Sequence, residues 1–103
     1  VHAVYQFGCE TGREAYVIYS DDGGQSWSRG EVACAVDGER VAEPQVVERT
    51  DGSILLNART GTGLRKVALS EDGGATFSDL TPDPALIDPG CQASILRCGD
   101  PLD

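Results

Sequence analysis

The chain has 103 residues, enough for one small domain and a modest core, with 40% hydrophobic and 24% charged residues. Its formal net charge is −9, from 17 acidic and 8 basic side chains. That balance argues against nucleic acid as a partner, because phosphate contacts need clustered Lys and Arg. An anionic small ligand would need a local arginine pocket working against the global field. No run approaches the roughly 20 apolar residues of a membrane-spanning helix.

Taken from the N-terminus, Val1–Tyr5 lacks the positive region and long apolar run of a signal peptide. With no initial Met, and with Leu102-Asp103 closing it in mid-phrase, the sequence reads as an internal piece of a longer protein. Ala15-Tyr16-Val17-Ile18-Tyr19 is β-branched and aromatic, so a strand is predicted. It runs directly into Ser20-Asp21-Asp22-Gly23-Gly24-Gln25-Ser26-Trp27. Next come Gln45–Glu48 and Ser53–Asn57, joined by Arg49-Thr50-Asp51-Gly52; Asp-Gly between apolar runs predicts a hairpin. Lys66-Val67-Ala68-Leu69 is a further strand, leading into Ser70-Glu71-Asp72-Gly73-Gly74-Ala75-Thr76-Phe77.

The segments 20–27 and 70–77 share S-x-D-G-G-x-[ST]-[WF], displaced by 50 residues. A period of this size marks repeated supersecondary units, propeller blades among them. Each copy makes sense as a hairpin turn. The aspartate accepts backbone N–H groups, the glycines fold the chain back, and Trp27 or Phe77 anchors the turn on its own blade. Neither copy is expected to do chemistry. With no helical periodicity and with 13 glycines and 5 prolines, the expected fold class is all-β with short antiparallel strands.

Cys9, Cys34, Cys91 and Cys98 form no C-x-x-C pair, and the lone His2 is far from them in sequence, which argues against zinc. Cys91 and Cys98 could form a disulfide in an oxidising compartment, or all four could be free, partly buried thiols. The acidic pairs Asp21-Asp22 and Glu71-Asp72 offer too few oxygen ligands for calcium. No metal or organic cofactor is expected.

The repeated motif resembles the Asp box, or BNR repeat, of sialidases. The intervening Glu43-Pro44-Gln45-Val46-Val47-Glu48, Asp51–Arg59 and Leu64-Arg65-Lys66-Val67, and then Cys91-Gln92-Ala93-Ser94-Ile95, resemble the central region of exo-α-sialidases. The resemblance implies a six-bladed β-propeller of four-stranded antiparallel sheets, of which residues 1–103 would supply about two blades. It also implies a piece of an enzyme that removes terminal α-linked sialic acids from glycans, glycoproteins or glycolipids with retention. The nucleophile would be a tyrosine, an exception among glycosidases. An anionic nucleophile is repelled by the carboxylate on the anomeric carbon, and a neutral phenol needs a neighbouring base.

On this pattern Glu48 is the base that takes the tyrosine proton, with Glu43 the competing assignment. Arg65 is one of three arginines gripping the substrate carboxylate in forked geometry, with Arg59 the alternative. Gln92 lines the pocket, and Tyr5 aligns with pocket-rim aromatics. Glu48 and Arg65 are expected to face one cavity. The family's F/Y-R-I-P arginine, acid/base aspartate, third arginine and nucleophilic tyrosine have no match here, so the piece alone is expected to be inactive. Separated from its other blades, it is expected to be poorly stable or to associate. The rival functions are a trans-sialidase and a non-catalytic Asp-box propeller that binds glycans or proteins. The compartment suggested by resemblance is extracytoplasmic: secreted, periplasmic or lysosomal.

Overall fold

The computed structural model describes residues 6–8, 14–35 and 39–99. These form eight strands: β1 (Gln6–Gly8), β2 (Glu14–Tyr19), β3 (Ser28–Arg29), β4 (Ala33–Cys34), β5 (Val41–Glu48), β6 (Ile54–Thr60), β7 (Leu64–Ser70) and β8 (Thr81–Ile87). No helix appears among the described residues, as the lack of helical periodicity predicts.

The strands make two antiparallel sheets. In the first, β1 lies on one side of β2, and both β3 and β4 pair with its other side. These last two are halves of one edge strand, interrupted by residues 30–32. Gly30 keeps contact across the break by donating its N–H to the Val17 carbonyl at 2.9 Å. The second sheet is a meander, β5-β6-β7-β8. Its predicted hairpin is present, in register Glu48↔Ile54, with Gly52 at φ 86° and Asp51 Oδ1 accepting the Ser53 N–H at 2.9 Å.

Two strand features went beyond the sequence reading. β5 extends back to Val41 through Pro44, and β8 forms in a segment holding Pro82 and Pro84. Proline removes a ladder donor, which a bulge or an edge strand tolerates. Pro44 sits where the β5–β6 register shifts, and among the described residues β8 pairs only with β7.

Even-numbered residues of β6 and β7 face the first sheet. Leu56, Ala58 and Ala68 pack with Ala15, Val17, Ala33, Ala35, Val41 and Leu80 into one core. The many alanines let the backbones approach closely. Lys66 shares this face and is almost completely buried.

Both Asp boxes are closed turns. Asp22 Oδ1 accepts from Ser20 Oγ and from the Ser26 N–H, each at 2.8 Å, while Ser26 Oγ donates to Oδ2. Asp72 does the same with Ser70 Oγ, the Thr76 N–H and Thr76 Oγ1. These inward hydrogen bonds, led by the Ser26 and Thr76 hydroxyls, hold both carboxyls at a pKa of about 2. The second box also joins the sheets. Its Ala75 carbonyl accepts the Glu31 N–H at 2.8 Å, and its Gly74 lies against Gly30. The aromatic anchors differ. Phe77 packs against the core, whereas Trp27 stays 44% exposed and lies over its own turn, donating Nε1–H to the Gly24 carbonyl at 3.1 Å.

Cys34, Cys91 and Cys98 are free and exposed, so the disulfide considered for Cys91 and Cys98 is not formed, and these thiols are not partly buried. Cys9 and His2 lie outside the described residues.

Candidate active site

The end of the second sheet opposite its Asp box holds a cluster of charged side chains. It begins with a bulge. Ala42 pairs with Arg59 and Gln45 with Asn57, so Glu43 and Pro44 together oppose the single residue Ala58. Glu43 is the one non-glycine among the described residues with positive φ, at 44°. A residue with a side chain adopts this region at a cost of roughly 1–3 kcal/mol, and such backbone is concentrated at functional sites.

In this conformation Glu43 Oε2 accepts a hydrogen bond from Arg59 Nη1 at 2.9 Å. Both side chains are more than a third exposed, so a ligand reaches them. The Glu43 hydrogen bond and charge, with a smaller contribution from Asp88, push the Arg59 guanidinium above its ordinary pKa and keep it cationic. A cavity of about 330 Å³ adjoins the pair, lined by Arg40, Val41, Ala42, Arg59, Thr60 and Gly61.

Arg65 is the next arginine across the sheet. Ala58 pairs with Lys66, so Arg65 stands beside Arg59 on the same face. Like charges side by side are unfavourable. Here each has its own anion: Glu43 for Arg59, and Asp88, 3.9 Å from Nη1, for Arg65. Arg65 is only 6% exposed. Its Nε donates to Asn57 Oδ1, and its Nη1 to the Cys91 carbonyl at 3.4 Å. The Asp88 side chain is fully buried. Its Oδ2 accepts the Thr60 N–H at 2.7 Å and its Oδ1 the Gly90 N–H at 2.8 Å. Burial alone would raise its pKa. The Thr60 and Gly90 N–H groups and the Arg65 charge overcome that and lower it.

The expectation that Glu48 and Arg65 face one cavity does not hold. Glu48 pairs with Ile54, which pairs with Ser70, the first residue of the second Asp box. It therefore lies at the other end of β5, roughly 17 Å along the strand from Glu43 at about 3.4 Å per residue. It also falls on the core-facing register, whereas Arg65 falls on the opposite face. The reason is the two-residue alternation of a strand, which spacing along the chain alone did not resolve. The residues brought together are the alternative pair, Glu43 and Arg59. Gln92 is exposed and follows Cys91, whose carbonyl accepts from Arg65, so it lies at this same end of the sheet. Tyr5 lies outside the described residues.

Arg40, Asn57, Thr60 and Asp88 were not singled out from the sequence. Their roles depend on strand register and on the return of the chain after β8, which no local motif encodes. For Glu43 a signal was present: a proline directly after it inside a strand implies a bulge.

A second cavity of about 320 Å³ lies on the face turned away from the core. Its walls include Leu55, Val67, Leu86 and Ile95, and residues 93–95 cover part of it.

Residues 1–96 match the BNR repeat-like domain family. The chain belongs to that family. It is 43% identical over 86 residues to a sialidase of Micromonospora viridifaciens, covering 82% of this chain and 13% of that protein. It is 38% identical over 88 residues to an anhydrosialidase of Macrobdella decora, covering 84% and 11%. With sialidase-3 of Mus musculus it shares 38% identity over 96 residues, covering 87% and 22%. Among solved structures, the intramolecular trans-sialidase from Ruminococcus gnavus in complex with oseltamivir carboxylate matches with a TM-score of 0.59 and 34% identity, covering 74% of this chain and 15% of that one. The leech intramolecular trans-sialidase matches with the same score and identity, covering 74% and 11%. The chain thus spans only 11–22% of the length of these curated relatives.

Proposed function

We propose that this chain supplies part of the active site of an exo-α-sialidase, a retaining glycoside hydrolase acting on sialylated glycans, glycoproteins or glycolipids. The observation that carries the reading is the ion pair of Glu43 and Arg59 at the bulged end of β5 and β6. A sialoside needs two things from such a site: a base to activate a phenol, and a forked cation for the sugar's carboxylate. Glu43 is the base and Arg59 the cation. The exposure of both groups lets the reacting partners approach. The 330 Å³ space beside them is of the size small ligands occupy. Gln92, at the same end of the sheet, contributes to the pocket wall, and the tyrosine nucleophile, acid/base aspartate and further arginines come from elsewhere in the propeller. Residues 1–103 alone are inactive on this reading.

The test is cleavage of a fluorogenic sialoside by the full-length protein and by its Glu43→Gln and Arg59→Lys variants. The reading expects wild-type cleavage and large losses in both variants. Variants that cleave at the wild-type rate would end it.

The likeness to two intramolecular trans-sialidases supports a second reading, in which the sugar's own hydroxyl displaces the enzyme in place of water. Mass analysis of the product separates the two. Hydrolysis releases the free sugar acid, and intramolecular transfer releases an anhydro sugar lighter by one water.

A further inference from the structure

We infer that Asp88 and Arg65 are positioning residues that hold Arg59 and the segment carrying Gln92 in register with each other; this rests on the reading of Arg59 as the substrate-acid cation. Asp88 fastens three separate pieces of chain. Its Oδ2 accepts the N–H of Thr60, which belongs to the peptide directly following Arg59. Its Oδ1 accepts the Gly90 N–H, and its own N–H donates to the Gly63 carbonyl at 2.8 Å in the β6–β7 turn. Arg65 adds a further tie to the same return. With Nε anchored on Asn57 Oδ1, its Nη1 reaches the Cys91 carbonyl, one residue before Gln92.

Both side chains are buried; Arg65 borders the 320 Å³ cavity with only the 6% of its surface that stays exposed, whereas Arg59 is more than a third exposed. The Arg65 guanidinium commits Nε to Asn57 and Nη1 to the 88–91 return. A carboxylate at position 88 is required by its two simultaneous acceptor roles. Asparagine has one oxygen and would set its NH₂ against either the Thr60 or the Gly90 N–H. A lysine at position 65 keeps the charge but loses the fork that joins Asn57 to Cys91. The geometry separates this role from direct substrate contact, because a positioning residue acts only through what it positions.

The experiment measures kcat and KM for a fluorogenic sialoside with the full-length protein carrying Asp88→Asn or Arg65→Lys, each alone and combined with Arg59→Lys. Each single variant is expected to raise KM about tenfold with kcat within about threefold, since a misplaced binding group loses orientation. In the Arg59→Lys background the same substitutions should change KM by clearly less than in the wild-type background, because one of the two groups they hold in register is already lost. An unchanged KM in the single variants overturns the inference. So does a full, additive loss for Arg65→Lys in the Arg59→Lys background, which would mark direct contact of Arg65 with the substrate. Circular dichroism melts accompany each variant. If Asp88→Asn unfolds, Arg65→Lys carries the test, and unfolding of both marks a purely structural role and overturns the inference. Wild-type cleavage that survives both Glu43→Gln and Arg59→Lys instead refutes the functional reading beneath it.

Discussion

Replacing Gly30 with alanine tests how the two sheets are locked together. A Cβ built on Gly30 would sit 2.2 Å from the Gly74 carbonyl oxygen and 3.4 Å from Val17 Cγ2. The nearer atom is backbone, in a turn held by Ser70 and Asp72, so it cannot rotate aside. Reaching even 3.0 Å requires about 0.8 Å of new separation between the sheet edge and the second Asp box. Overpacking of this kind costs roughly 1–3 kcal/mol. The same shift strains the Glu31 N–H to Ala75 carbonyl bond, worth about 0.5–1.5 kcal/mol. Stiffening of the unfolded chain returns about 0.4–1 kcal/mol. The net expectation is a loss of about 0.5–4 kcal/mol, centred near about 2 kcal/mol. Because the unfolding free energy falls linearly with urea, the unfolding midpoint of the full-length protein falls in proportion. Gly61→Ala is the control. Gly61 has no left-handed φ, and its Cβ would make ordinary contact with Glu39 Oε1 at 3.6 Å. Equal midpoints for the two variants would refute the reasoning.

Glu43→Gln and Arg59→Lys should each lower sialoside turnover by about a hundredfold or more, whereas Glu48→Gln should stay within about threefold, as steady-state rates on the full-length protein will reveal. Asp22 and Asp72 are held at about 2 against an ordinary 3.8, so their stabilisation is complete above about pH 4 and is lost as pH falls through about 2. A double Asp22→Asn, Asp72→Asn variant should therefore show a flatter dependence of melting temperature on pH across that window. Leu56 is fully buried between the sheets, and Leu56→Ala should cost about 2–5 kcal/mol in urea unfolding.

The amino-acid sequence determined the all-β class, the two Asp-box turns and the central hairpin, because each is encoded locally. Asp-Gly and Asp-Gly-Gly set turn geometry, and β-branched runs beside them have no competing helical period. It also carried enough family resemblance to name both carboxylates and both arginines. It could not choose between them. That choice depends on which face and which end of a sheet a residue occupies. A bulge at Glu43-Pro44 changes the face of everything before it by one residue. Strand alternation puts Glu48 and Arg65 on opposite faces, while Glu43 and Arg59, 16 residues apart in the chain, meet at 2.9 Å. Asp88 shows the same limit. Its partners Thr60, Gly63, Gly90 and Arg65 are strung along 31 residues of chain, and only the folded return after β8 collects them around one carboxylate.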